Sequence, residues 1–426
     1  MKQYSSLKKD ELKKELDILE TEYKNYQALN LNLNMTRGKP CIEQLNLSMG
    51  MMDVLNSSVD LTCRDGFDCR NYGVLGGIDE CKELLGDMIE VPKDNIIIYG
   101  NSSLHVMYEC VSRSMTNGVM GSTPWSKLKK VKWLCPVPGY DRHFAITEYF
   151  GIEMINIPMD NNGPDMDMVE KLVSTDESIK GIWCVPKYSN PDGTTYSEEV
   201  VKRFARLKPK AKDFRIYWDN AYSVHHLYDD NQDFLLEILD ECKKAGNPDI
   251  VYKFTSTSKI SFPGSGIAAL ATSEANIKDI KNQMKISTIG YDKVNQLRHV
   301  RFFKDLNGIK DQMRKHADIL RPKFELVENV LEEELKGLNL AVWTKPHGGY
   351  FISLNTCLPI AASVVDRCKK IGLELTPAGS AFPYHKDPNN SNIRIAPSFP
   401  NLDELKMASK ILALSIKIES ILYLLK

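Results

Sequence analysis

Residues 250–272 read IVYKFTSTSKISFPGSGIAALAT. Two short apolar runs, 250–255 and 267–272, flank a cluster of hydroxyls, one lysine and a Pro-Gly-Ser-Gly turn. Short apolar runs rich in β-branched and aromatic residues and bounded by turn signals predict buried strands. Lys259 therefore follows a strand end directly. Upstream the same kind of run recurs as IIIY (96–99), VKWLC (131–135), EMINI (153–157), KGIWCV (180–185) and FRIYWD (214–219). Helical patterns fill several intervals, at 103–116, 165–174, 197–206 and 232–244. Strand and helix in alternation predict an α/β fold with a mostly parallel sheet. In such sheets ligands sit beyond the carboxyl ends of the strands, so the residues that follow the runs carry the functional information.

Beyond Ser273 the pattern turns helical, with a long charged stretch at 293–336. Strand-like AVW (341–343) and GYFISL (349–354), a helix near 360–370, NIRIAP (392–397) and a last helix at 402–424 predict a smaller α+β domain. The segment from Leu7 to Leu29 sets Leu12, Leu16, Leu19, Tyr23 and Tyr26 on one helical face, with Ser5 or Ser6 placed to cap it. This helix and the RGKP segment (37–40) are expected to join the smaller domain in space. The predicted division is 51–300 for the large domain, with 1–50 and 301–426 forming the small one.

The 426 residues are 42% hydrophobic and 9% aromatic, enough for ordinary cores, and the formal net charge of -1 gives no footprint for nucleic acid or an anionic membrane. No apolar run approaches the ~18 residues of a membrane helix, and the charged start MKQYSSLKKDELKKEL has no apolar signal core. The ten cysteines show neither CxxC nor a His at metal-ligand spacing, which points to reduced thiols rather than zinc or disulfides. A cytoplasmic protein without a metal is expected.

Several strand ends carry chemistry. Lys259 can act as a nucleophile if a pocket desolvates it, with Ser256 and Ser258 beside it for a phosphate; a solvated lysine in a serine-rich loop is the plain alternative. Asp219, in YWDNAY, can pair with a pyridinium nitrogen and Tyr222 with a phenolic oxygen, or Asp219 can cap a helix. Asn190, in KYSNPDGTTYS, sits in a turn that can present its amide to a ring or a carboxylate. Ser102 and Ser103 open a helix whose N-terminus is an anion site, or are simple caps. Tyr140, in PVPGYDRHF, can stack on a flat ring. Arg394, a lone charge in an apolar strand, needs an anionic partner, either a substrate carboxylate or a structural carboxylate. His143, His225 and His226 also follow strand ends and receive no role.

In this order the elements resemble the fold-type I aminotransferases, over nearly the whole chain from Thr36 to Phe399. TRGKP, RNYGVLGG, PGYDRHF, SNPDGTTYS, DNAY, FTSTSKISFPGSG, STIGYDKVNQLRHVRF and RIAPSFP resemble the bacterial aspartate aminotransferase branch called type Ic. The resemblance implies an aspartate-aminotransferase-like fold and pyridoxal 5'-phosphate (PLP) as cofactor. It implies a Schiff base on Lys259, Asp219 on the pyridine nitrogen, Asn190 and Tyr222 on the phenolic oxygen, and Tyr140 against the ring. Ser102, Ser103, Ser256 and Ser258 would surround the phosphate, and Tyr72 would reach the phosphate of the other subunit of a homodimer with shared sites. Arg394, helped by Asn190 and the backbone at Gly38, would bind the substrate α-carboxylate. Arg37 either recognises a distal carboxylate or anchors the N-terminal segment.

The implied reaction exchanges an amino group between an amino acid and a 2-oxo acid, first of all L-aspartate with 2-oxoglutarate. Another amino donor, a PLP-dependent lyase and a non-catalytic PLP-binding sensor are the alternatives. The sensor is disfavoured because the 35 residues before Thr36 are too few for a winged helix. A nucleotide-binding enzyme is excluded by the lack of GxGxxG or a GxxxxGK[ST] loop after a strand. One departure from the family stands out. Many aminotransferases carry a phosphate-binding Arg eight residues after the lysine, where this chain has Ile267. Serines, amides and a helix dipole must then suffice, or another base such as Arg298 of a partner subunit substitutes.

Overall fold

The computed structural model describes residues 3–426. In chain order its strands are β1 (Leu33–Asn34), β2 (Ile96–Ile98), β3 (Lys132–Val137), β4 (Glu153–Asp160), β5 (Gly163–Pro164), β6 (Ile179–Cys184), β7 (Arg215–Asp219), β8 (Val251–Ser256), β9 (Ala268–Ala271), β10 (Ala341–Trp343), β11 (Ile352–Thr356), β12 (Leu373–Glu374) and β13 (Asn392–Ile395). Eight of them form one sheet in the order β2-β9-β8-β7-β6-β3-β4-β5. Neighbours from β8 through β4 are parallel, and β9 runs antiparallel to both β8 and β2. Thus β2, β3, β4, β6, β7 and β8 all point the same way, and their carboxyl ends share one edge. The expected α/β architecture is met.

The central strands read as continuous apolar runs because both faces are covered. Every residue of β6, β7 and β8 is buried. Alternation sends Trp133, Trp183, Tyr217 and Phe254 to one core, and Leu134, Ile182, Ile216 and Trp218 to the other. The two lysines inside these strands are paired, as burial favours, while Arg215 in β7 donates to neutral acceptors, Phe214 O at 2.8 Å and Asn276 Oδ1 at 3.2 Å. Lys180 meets Asp213 at 2.7 Å and Lys253 meets Glu237 at 2.7 Å. The second pair corrects one expectation: the helix predicted from 232 starts at Ile238, because Glu237 is held by Lys253 and accepts from Asp240 N as the N-cap.

Gly181, in β6, lets the Trp133 ring lie on the strand: a Cβ there would meet that ring at 2.4 Å. Gly181→Ala is expected to destabilise the fold by about 1–3 kcal/mol through overpacking, read as a lower denaturation midpoint at unchanged slope. An unchanged midpoint would show that Trp133 can move aside.

The second sheet is antiparallel, β10-β11-β13, and β1 pairs with β12. It shares a core with the helices Lys9–Gln27, Leu306–Leu335, Ala361–Lys370 and Leu402–Leu424. The amphipathic N-terminal helix buries Leu12, Leu19 and Tyr23, and the Tyr23 hydroxyl donates to Arg367 O at 2.9 Å. Neither Ser5 nor Ser6 caps this helix. Lys8 is the N-cap, its N–H donates to Glu11 at 2.8 Å, and Ser6 Oγ turns to Gln3 O. The stretch 293–336 forms two helices, Lys293–Phe303 and Leu306–Leu335. Lys304 takes φ 67° between them and Asp305 caps the second. β11 starts only at Ile352, since Gly349 adopts φ 82° against Tyr188, outside the extended region.

Candidate active site

A cavity of about 950 Å³ opens at the shared carboxyl edge. It is walled below by residues following β2, β3, β6, β7 and β8, and on its other side by the segment around Gly38, by Phe351 and by Arg394 of β13. After β2, Asn101, Ser102 and Ser103 enter the wall. Ser102 is the N-cap of the helix Ser103–Asn117 but makes no side-chain cap bond. The hydroxyl and the first-turn N–H groups are left for an anion. Across from them, Ser256 Oγ donates to Ser258 Oγ at 3.0 Å, and Ser258 Oγ to Asn101 O at 3.0 Å.

Lys259, one residue further, lines the cavity with its amine 5.2 Å from the Tyr222 ring and 5.8 Å from the Tyr350 ring. Burial pushes its pKa down, with Asp219 acting in the opposite direction. A larger share of the amine is therefore neutral and nucleophilic at neutral pH. The Tyr222 hydroxyl is pushed well up by burial and stays protonated.

Asp219 ends β7 and is 4% exposed. Its Oδ2 lies 3.0 Å from His143 Nε2, while Oδ1 is buried without a partner. His143 sits on the helix Asp141–Tyr149, three residues after Tyr140, with its ring stacked on Trp183 at 4.6 Å and 16°. This role was missed in the sequence, although Tyr140 at a helix start put His143 one turn on along the same face. Tyr140 lines the cavity and meets the His143 ring edge-on at 4.9 Å.

Arg394 donates to Asp141 Oδ1 at 2.8 Å, to Asn190 Oδ1 at 3.4 Å and to Thr376 Oγ1 at 3.3 Å, and its Nε is buried without a partner. Gly38 is forced by space: a Cβ would lie 2.6 Å from the Phe351 ring. Arg37 and Lys39 flank it in the cavity wall, Lys39 with its amine 3.8 Å above the Phe399 ring.

Five further residues singled out in the sequence lie off this wall. Tyr72 is 79% exposed and does not line the cavity of its own chain. Ile267 is buried in an apolar cluster with Ile98 and Ala269, so its side chain serves the core. Arg298 donates to Ser265 and Asn295. His225 is buried with neither ring nitrogen partnered, while His226 Nδ1 and the Tyr188 hydroxyl share a hydrogen bond of 2.7 Å. Among the described residues no three His, Cys, Asp or Glu side chains gather to hold a metal ion, and no helix is long and apolar enough to cross a membrane.

Comparison with known proteins supplies the class. An aspartate aminotransferase of Corynebacterium glutamicum is 44% identical over 391 residues, covering 92% of this chain and 90% of that one. The crystal structure of an aspartate transaminase from the same species superposes with a TM-score of 0.96 at 41% identity, over 99% of both chains. The α-aminoadipate aminotransferase LysN of Thermus thermophilus, complexed with N-(5'-phosphopyridoxyl)-L-leucine, shares the fold, with a TM-score of 0.74 at 16% identity over 92% of this chain and 93% of that one. The protein is thus a PLP-dependent aminotransferase by class. The family described as aspartate amino-transferase matches residues 7–426, and the chain belongs to that family.

Proposed function

We propose that this enzyme transfers the amino group of L-aspartate to 2-oxoglutarate, giving oxaloacetate and L-glutamate, with PLP as its cofactor. The observation that supports this best is the buried, unpartnered Oδ1 of Asp219 in the same cavity wall as the Lys259 amine. A buried carboxylate oxygen without a donor is costly, and a protonated pyridine nitrogen is the donor that it fits. The uncapped helix start at Ser102 and the hydroxyls of Ser256 and Ser258 suit the phosphate.

In this reading Lys259 would hold the cofactor's aldehyde carbon, Asp219 the ring nitrogen, and Asn190 and Tyr222 the phenolic oxygen. Tyr140 would cover the ring, and Ser102, Ser103, Ser256 and Ser258 would bind the phosphate. The inward side of position 267 is apolar core, so the phosphate charge falls to the helix N-terminus and the hydroxyls. When bound, PLP supplies an electron sink for the pair left when a bond at the substrate α-carbon breaks. Once the substrate amine has displaced it from the cofactor's aldehyde carbon, Lys259 Nζ, its pKa lowered by burial, would take the α-proton. His143 keeps Asp219 in place through their bond at 3.0 Å. Arg394 binds the α-carboxylate with Asn190 and the Gly38 backbone, and so fixes which α-carbon bond faces the ring.

Arg37 would meet the distal carboxylate of a dicarboxylic substrate. Arg37→Ala is expected to lower kcat/KM for aspartate by about 10²-fold and to leave alanine much less affected; equal losses would make Arg37 a mere anchor. Tyr72, exposed and remote from its own cavity, fits a homodimer in which it completes the other subunit's phosphate site. The division into 51–300, and 1–50 with 301–426, belongs to the same reading.

The test is the absorbance spectrum of the PLP-loaded protein before and after L-aspartate, with oxaloacetate measured alongside. A visible band that aspartate bleaches as oxaloacetate forms supports the proposal. A band that aspartate leaves unchanged would move the search to another amino donor or another reaction.

A further inference from the structure

The ion pair between Arg394 and Asp141 links the three-stranded sheet to the eight-stranded one. Arg394 lies on β13 of the three-stranded sheet, and Asp141 opens the helix that follows β3 of the eight-stranded one. The pair measures 2.8 Å, with the arginine side chain 8% and the aspartate 27% exposed. Arg394's other bonds, to Asn190 and Thr376, go to neutral oxygens at 3.4 and 3.3 Å. Among the described residues, Asp141 is its one carboxylate partner. Both side chains line the cavity.

A guanidinium this buried, with its Nε unpartnered, is stabilised by a counter-charge when no ligand is present. Asp141 supplies it, from a helix first turn where a carboxylate is favoured. By contrast, Arg37 and Lys39, in the same wall, form no ion pair among the described residues. A carboxylate arriving at Arg394 therefore meets a cation that is already paired. It must either displace Asp141 or share the guanidinium with it, and two carboxylates on one cation repel each other.

Resting on the proposed role of Arg394 in binding the α-carboxylate, we infer that Asp141 is an affinity-setting residue, an internal carboxylate that competes with substrate and product for Arg394. It keeps the arginine compensated and oriented between turnovers, and it weakens the hold on any α-carboxylate, which favours release.

The experiment uses PLP-loaded holoenzyme and two unreactive probes, propanoate and succinate, with binding measured by calorimetry and by the thermal shift that each produces. Asp141→Asn keeps the shape and an oxygen acceptor for Arg394 but removes the competing charge. The expected result is about tenfold tighter binding of both probes, with a larger thermal shift at equal probe concentration than in wild type. Asp141→Ser should tighten binding in the same direction if the asparagine variant folds poorly. Unchanged or weaker binding in the variants would overturn the inference and leave Asp141 as a fixed support for Arg394. Arg394→Gln separates the two levels. If it abolishes probe binding, the reading of the carboxylate site holds and the Asp141 variants decide the inference. If it leaves probe binding intact, that reading fails, and the inference fails with it.

Discussion

Lys259→Ala is expected to lose the visible band of the PLP-loaded protein and to slow oxaloacetate formation by about 10⁴-fold. The argument starts from position. Lys259 comes three residues after the last residue of β8, and the register Phe254↔Asp219 fixes that strand beside β7. Its amine lines the cavity close to the Tyr222 and Tyr350 rings. Burial lowers its pKa, so the neutral amine is present where a carbonyl carbon would be attacked. Lys253 has its charge taken up by Glu237 and Ile89 O and does not line the cavity. Alanine at 259 removes only side-chain atoms from the cavity wall, so folding should persist. Partial recovery of turnover on adding a small primary amine would show that the missing group is the base. A variant that keeps both the band and the rate would remove Lys259 from the mechanism.

Asp219→Asn should lower kcat by about 10³-fold, equivalent to about 4 kcal/mol at the transition state. The carboxylate is 4% exposed; one oxygen is held by His143 and the other is buried without a partner. An amide keeps the volume but cannot hold a proton on a pyridine nitrogen as an anion does. The variant should still bind PLP through Lys259, so its visible band persists while turnover collapses. Loss of both together would indicate a misfolded cavity, and a rate within about threefold of wild type would mean that the ring nitrogen has no need of the charge.

Much of this was legible in the sequence because the sheet is buried on both faces. Runs such as KGIWCV and IVYKFT are mostly apolar segments, and each is a central strand within a residue or two. The residues after them were then the ones to inspect, and Ser102, Tyr140, Asn190, Asp219 and Lys259 line one cavity. Partnerships across the chain were harder to read. His143 follows Asp141 by two residues, yet one reaches Asp219 of β7 and the other Arg394 of β13. No spacing rule encodes contacts between residues 76 and 253 positions apart. Helix ends also escaped where side chains had tertiary duties. Glu237 caps its helix while pairing with Lys253, and Ser6 turns back to Gln3 instead of capping. The departure at Ile267 shows the same limit: the sequence marks a missing cation, whereas only the packing shows that the side chain belongs to the apolar core.

The pairing of β7 with β8, Ile216↔Val251 through Asp219↔Phe254, acts as a ruler for the chemistry. Successive residues of a strand face opposite sides, so inserting or deleting one residue inside β7 would turn Asp219 away from the cavity and push a core tryptophan or tyrosine toward it. The connecting segments on the opposite edge, such as 245–249, lie outside the strands and are free of this alternation. Length changes should thus be tolerated along one rim of the molecule and lethal to catalysis within the strands, even where every catalytic side chain is kept.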